Sequence, residues 1–134
     1  MSPARRSEIM RRVRSKDTKP ELIVRKLVHR LGFRFRLHSK RLPGHPDLVF
    51  ASSRKVIFVN GCFWHRHDCA AAETPLTNRQ YWQAKQTRNA VRDKRNKATL
   101  LRLGWKTLVI WECEMKDREK LIRRLTRFLA TRHE

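Results

Sequence analysis

The chain has 134 residues, enough for one packed domain and too few for two, and its 40% hydrophobic content argues against disorder. Its 33 Lys and Arg stand against 12 Asp and Glu, a net charge of +21; a field of that sign gathers polyanions and favours nucleic acid over an anionic membrane surface. No apolar run approaches the ~20 residues of a membrane span and no apolar signal segment opens the chain, so membrane-spanning and secreted classes are set aside and a cytoplasmic location is expected.

Residues 1–17 read as a basic N-terminal arm, with Arg5, Arg6, Arg11, Arg12 and Arg14 and few apolar partners. Residues 18–134 read as a single domain. Thr18-Lys19-Pro20-Glu21 has the form of a helix start, with Thr18 as cap, Pro20 in the first turn and Glu21 reaching back as a capping box. Leu22, Ile23, Leu27 and Leu31 follow at helical spacing, and Gly32 stops the helix. Phe33, Phe35 and Leu37 alternate with Arg34, Arg36 and His38, the period of a half-exposed strand. After the turn Leu42-Pro43-Gly44-His45-Pro46, the runs Asp47-Leu48-Val49-Phe50 and Val56-Ile57-Phe58-Val59 predict a hairpin.

Residues 79 to 103 predict a strongly basic helix ending at Gly104. Thr107-Leu108-Val109-Ile110-Trp111 is nearly all apolar, which predicts a buried strand. Leu121, Ile122, Leu125, Phe128 and Leu129 form one stripe of a final amphipathic helix. The order α-β-β-β-α-β-α predicts an α/β protein with a mixed sheet covered by helices.

Chemistry concentrates in Gly61-Cys62-Phe63-Trp64-His65-Arg66-His67-Asp68-Cys69. Thiolates and imidazoles together suit tetrahedral zinc. Cys62, His67 and Cys69 would supply three ligands and Cys113 the fourth, a closed and therefore structural site; the competing reading is buried, inert cysteines. His65 is then spare for other work. Phe63 and Trp64, caught between metal ligands, either pack in the core or push against a partner.

Asp47, behind Pro46, and Glu21 could hold a hard divalent ion for phosphodiester hydrolysis; strand-end and helix capping are the alternatives. The basic helix carries Arg88, Arg92 and Arg95 among its many cations against a lone Asp93. Such one-sided charge suits contact with DNA phosphates.

The Pro46-Asp47 element, the run VIFVNGCFWHRHDC, the basic helix with Asn89 and Arg92-Asp93, and the ending Gly104-Trp105…Val109-Ile110-Trp111-Glu112-Cys113 resemble the very-short-patch repair (Vsr) endonucleases from about Arg6 to Leu129. The resemblance implies a restriction-endonuclease-like fold with structural Zn2+. It also implies a Mg2+-dependent enzyme that nicks one strand of double-stranded DNA beside a T·G mismatch left by 5-methylcytosine deamination. Asp47 would bind magnesium with the backbone carbonyl of Val59, Glu21 would contact the waters around it, and His65 would activate the attacking water. Cys62, His67, Cys69 and Cys113 match the family's zinc ligands. Phe63, Trp64 and Trp82 match aromatics that wedge between base pairs.

The family also implies a monomer and a MutL-type mismatch-repair partner, although no motif in the chain marks that contact. One departure stands out. Where the family places a histidine paired with the aspartate corresponding to Asp93, this chain has Asn60, which hydrogen-bonds but takes no proton. That departure keeps two alternatives open, a zinc-stabilised DNA-binding protein and a nuclease of the same fold with a different DNA target.

Overall fold

The computed structural model describes residues 18–62 and 79–130. Helix α1 spans Lys19–Arg30, with Pro20 in its first turn, where a missing N–H leaves no helical bond unmade. Gly32, at φ +89°, donates to the His29 carbonyl and turns the chain out of the helix. Strands β1 (Arg36–Leu37), β2 (Leu48–Phe50) and β3 (Lys55–Asn60) then run antiparallel to one another in sequence order. Helix α2 (Arg79–Arg102) precedes β4 (Lys106–Trp111), which pairs in parallel with β3. A short 3-10 turn, Glu112–Lys116, leads into helix α3, Arg118–Ala130.

Strand alternation divides the sheet into two faces. On one, Leu48, Phe50, Ile57 and Ile110 pack against Val24, Leu27 and Val28 of α1 and Leu121, Leu125 and Leu129 of α3. On the other, Val49 and Val56 pack against Leu100 of α2, with Phe58 and Trp105 at the margin. The result is a four-stranded mixed sheet between helices, in the predicted element order. None of the described helices is long and apolar enough to cross a membrane.

Three details differ from the sequence reading. The alternating segment forms a strand only at Arg36–Leu37, because the ladder to β2 covers just Arg36↔Val49 and Leu37↔Leu48; Phe33 and Phe35 instead pack on the core, and Phe35 meets Phe50 at 6.1 Å between ring centroids. Strand β4 is half-buried everywhere except Ile110, since among the described residues it has a neighbour on one side only. Lys55, inside a core strand, is fully buried. Its ammonium donates to the Phe128 carbonyl at 2.7 Å and the Leu129 carbonyl at 3.3 Å, capping the end of α3 where the helix dipole favours a cation.

Candidate active site

Glu21 sits in the first turn of α1 and is only 3% exposed. It does not act as a capping-box residue: Thr18 occupies the cap position with extended backbone, and its side chain makes no cap hydrogen bond. Glu21 turns inward instead, with Oε1 2.7 Å from His38 Nε2 and Oε2 3.2 Å from an Arg25 guanidinium nitrogen. A buried carboxylate gains more from the Arg25 guanidinium and the His38 ring than from an exposed amide.

Asp47 reaches the same place from the sheet. Pro46 before it is fully buried. The Asp47 N–H donates to the Ile57 carbonyl at 3.1 Å, and its carbonyl accepts the His38 N–H at 3.1 Å, so the backbone on both sides is held. Its side-chain Oδ2 accepts the Val59 N–H at 2.6 Å. Burial, followed by a hydrogen bond with Glu21, pushes the Asp47 carboxyl up from 3.8 to about 8; the Val59 amide and the Arg25 charge pull the other way without prevailing. Two acids confined to one site behave this way, because their charges cannot both be left without compensation.

Among the described residues, Glu21, His38 and Asp47 form a group able to hold a metal ion, each offering an atom within 4.8 Å of the others. Carboxylate oxygens plus an imidazole nitrogen suit a divalent cation.

His38 and Arg25 were not singled out by the sequence reading. Arg25 lies one helical turn beyond Glu21, and this spacing is a legible pairing signal. His38 read as the outward half of an alternating strand. Its signal lies in the pairing register: Leu37 faces Leu48, so the next pair along the antiparallel ladder is His38 with Asp47.

Asn60 follows Val59 and points to the opposite face. It is 9% exposed and shares a cavity of about 280 Å³ with Phe58, Asp93, Asn96, Val109 and Trp111. Asn60 and Asp93 thus line one cavity, on the other side of the strand from the Glu21–His38–Asp47 group.

Strands β3 and β4 end at the paired residues Asn60 and Trp111, and Cys62 and Cys113 each lie two residues further along the chain. Cys62 is buried and Cys113 is half-buried in the 3-10 turn. Phe63, Trp64, His65, His67 and Cys69 lie outside the described residues.

On α2, Arg88, Arg92 and Arg95 are exposed, while Gln86 and Asn89 are buried beneath them. Arg92 donates to Asn89 Oδ1, which ties one surface cation to the helix's inner side. Trp82, read as a wedge aromatic, is 5% exposed in the DNA-free chain and packs edge-on to Tyr81, 4.9 Å between centroids. Tyr81 is the exposed member of the pair, at 52%.

Residues 1–71 match the family described as DNA mismatch endonuclease Vsr. The chain is 49% identical over 129 residues to the type II nicking enzyme V.XorIIP of Xanthomonas oryzae pv. oryzae, covering 96% of this chain and 95% of that protein. It is 40% identical over 126 residues to the type II nicking enzyme V.NmeAIP of Neisseria meningitidis serogroup A, covering 94% and 90%. It is 42% identical over 118 residues to the DNA mismatch endonuclease Vsr of Escherichia coli K12, covering 88% and 76%.

Proposed function

Because the chain belongs to the Vsr family of DNA mismatch endonucleases, we propose that it nicks one strand of duplex DNA beside a T·G mismatch by cation-dependent hydrolysis of a phosphodiester. The observation that carries this reading is the convergence of Glu21, His38 and Asp47, whose ligand atoms all lie within 4.8 Å of one another. The four-stranded mixed sheet between helices is consistent with the restriction-endonuclease-like fold that the family implies.

Asp47 and Glu21, with the carbonyl of Val59, are the residues that would hold the cation. When bound there, a divalent ion, magnesium in this reading, would supply charge to offset that gathering on the scissile phosphate. Everything else falls to the chain's own groups. The Val59 amide fixes Asp47 Oδ2, and Arg25 fixes Glu21, so the acids need little reorganisation on binding. His65 takes the proton of the attacking water, a role suited to an imidazole near neutral pH. Asn60 and Asp93 line the neighbouring cavity, where Asn60 orients by hydrogen bonding in place of the family's imidazole.

Arg88, Arg92 and Arg95 contact the DNA phosphates from the exposed side of α2. Phe63 and Trp64 wedge the duplex. Unstacking costs least where the pair is already weak, so a T·G mismatch yields more readily than a matched pair. Zinc on Cys62, His67, Cys69 and Cys113 would stiffen the loop that carries the wedge, and four protein ligands leave it no catalytic opening. The protein is read as a monomer on its DNA, with a MutL-type repair protein as a candidate partner.

A T·G heteroduplex labelled separately on each strand tests this reading. A single nick in one strand, abolished by chelating the divalent cation, supports it. An intact duplex under every cation condition contradicts it.

A further inference from the structure

His38 occupies its position against backbone preference. Its φ is +50°, the left-handed region, which a residue with a Cβ adopts only where its surroundings impose it. The surroundings do so here, through the His38 N–H bonded to the Asp47 carbonyl. The turn brings Nε2 to the centre of the acidic group, 2.7 Å from Glu21 Oε1 and 2.9 Å from an Arg25 guanidinium nitrogen.

These two neighbours make incompatible demands. The Glu21 carboxylate asks for a proton on Nε2, whereas a guanidinium only donates and asks for a lone pair there. One ring nitrogen cannot satisfy both. A cation among the three ligand atoms, all within 4.8 Å of one another, resolves the conflict by taking the lone pair. Arg25 retains Glu21 Oε2 as its anchor.

We propose that His38 Nε2 is a direct ligand of the divalent cation held by Asp47 and Glu21, giving the site a mixed nitrogen–oxygen donor set that takes Mn2+ or Co2+ ahead of Mg2+. The inference rests on the reading of Asp47 as the cation's carboxylate. The chemistry is ordinary: magnesium prefers oxygen ligands and holds its waters, while imidazole suits first-row transition ions.

The test uses Mn2+ alone, titrated into the full chain and followed by its electron paramagnetic resonance signal. The proteins compared are wild type, His38→Asn and Asp47→Asn; asparagine at position 38 tolerates positive φ and keeps the turn. Pulsed measurements on wild type should show 14N coupling from an imidazole. His38→Asn should lose that coupling and weaken Mn2+ binding by about 10-fold or more, with Mg2+ binding, measured by competition, changed by less than about 2-fold. Absence of 14N coupling in wild type, or its persistence with full Mn2+ affinity in His38→Asn, overturns the role of His38. If Asp47→Asn also binds Mn2+ as wild type does, the ion lies elsewhere and the reading of Asp47 falls with it.

Discussion

Val59 donates its backbone N–H to Asp47 Oδ2 across 2.6 Å, tying one oxygen of the carboxylate to strand β3 while the group also hydrogen-bonds Glu21. A side chain from the start of β2 is thereby fixed by the middle strand of the hairpin and by helix α1 at once. Such a group has little freedom to relax, which is what a cation ligand needs if binding is not to be spent on ordering it.

Replacing Asp47 with Asn keeps the shape and an oxygen for the Val59 amide but removes the charge. Strand nicking should fall by at least about 100-fold, since the charge compensation lost is worth several kcal/mol. Circular dichroism should be unchanged. Normal single-turnover nicking by this variant would remove Asp47 from the chemistry.

The raised Asp47 carboxyl makes stability depend on pH. The folded chain keeps a proton up to about 8 that the unfolded chain releases near its ordinary value of 3.8. The group's contribution is therefore fully present below the lower value and is lost as pH rises through the upper one. In cation-free buffer the melting temperature should fall between about pH 5 and about pH 8 more steeply for wild type than for Asp47→Asn. Parallel curves would mean that Asp47 titrates normally.

Lys55 offers a prediction about the fold alone. Its ammonium is buried, and burial together with nearby Lys106 pushes its pKa below the usual lysine value. Two carbonyls of α3 still depend on it. Lys55→Met should cost about 1–3 kcal/mol by leaving those carbonyls without a charged donor. Nicking per folded molecule should be unaffected, because Lys55 begins β3 and Val59 lies toward its other end. An unchanged midpoint in urea would show that the cap contributes nothing.

Cys113→Ser tests the zinc proposal. Cys62 lies just past the end of β3 and Cys113 just past the end of β4, so an ion bound by both would tie the hairpin to β4. The variant should release zinc, measured by atomic absorption, and lose thermal stability. Full zinc content with an unaltered melting curve would rule out Cys113 as a ligand.

Much of this was legible before any coordinates. The stripe Leu121, Leu125, Leu129 specifies its helix because all three face the sheet. The hairpin of β2 and β3 follows from two apolar runs with a polar turn, and Asp47 stands out as a carboxylate pressed against the start of one of them. What escaped the reading depends on pairings between distant segments. Glu21 has the spacing of a capping residue, and only the arrival of His38 and Arg25 shows that it turns inward. His38 is invisible without the β1–β2 register and a left-handed backbone. For Trp82 the residues leave wedge and core packing evenly balanced, and only the packing of the helix shows that it is the buried ring and Tyr81 the exposed one.

The central claim is discrimination, and one rate ratio tests it: single-turnover nicking of a T·G heteroduplex against the matched duplex of the same sequence, with magnesium present. The account predicts a nick confined to one strand of the heteroduplex, at least about 100-fold faster than any cut in the matched control, a difference of ~2.7 kcal/mol that matches the unstacking cost a weak pair relieves. Equal rates on the two duplexes would contradict it.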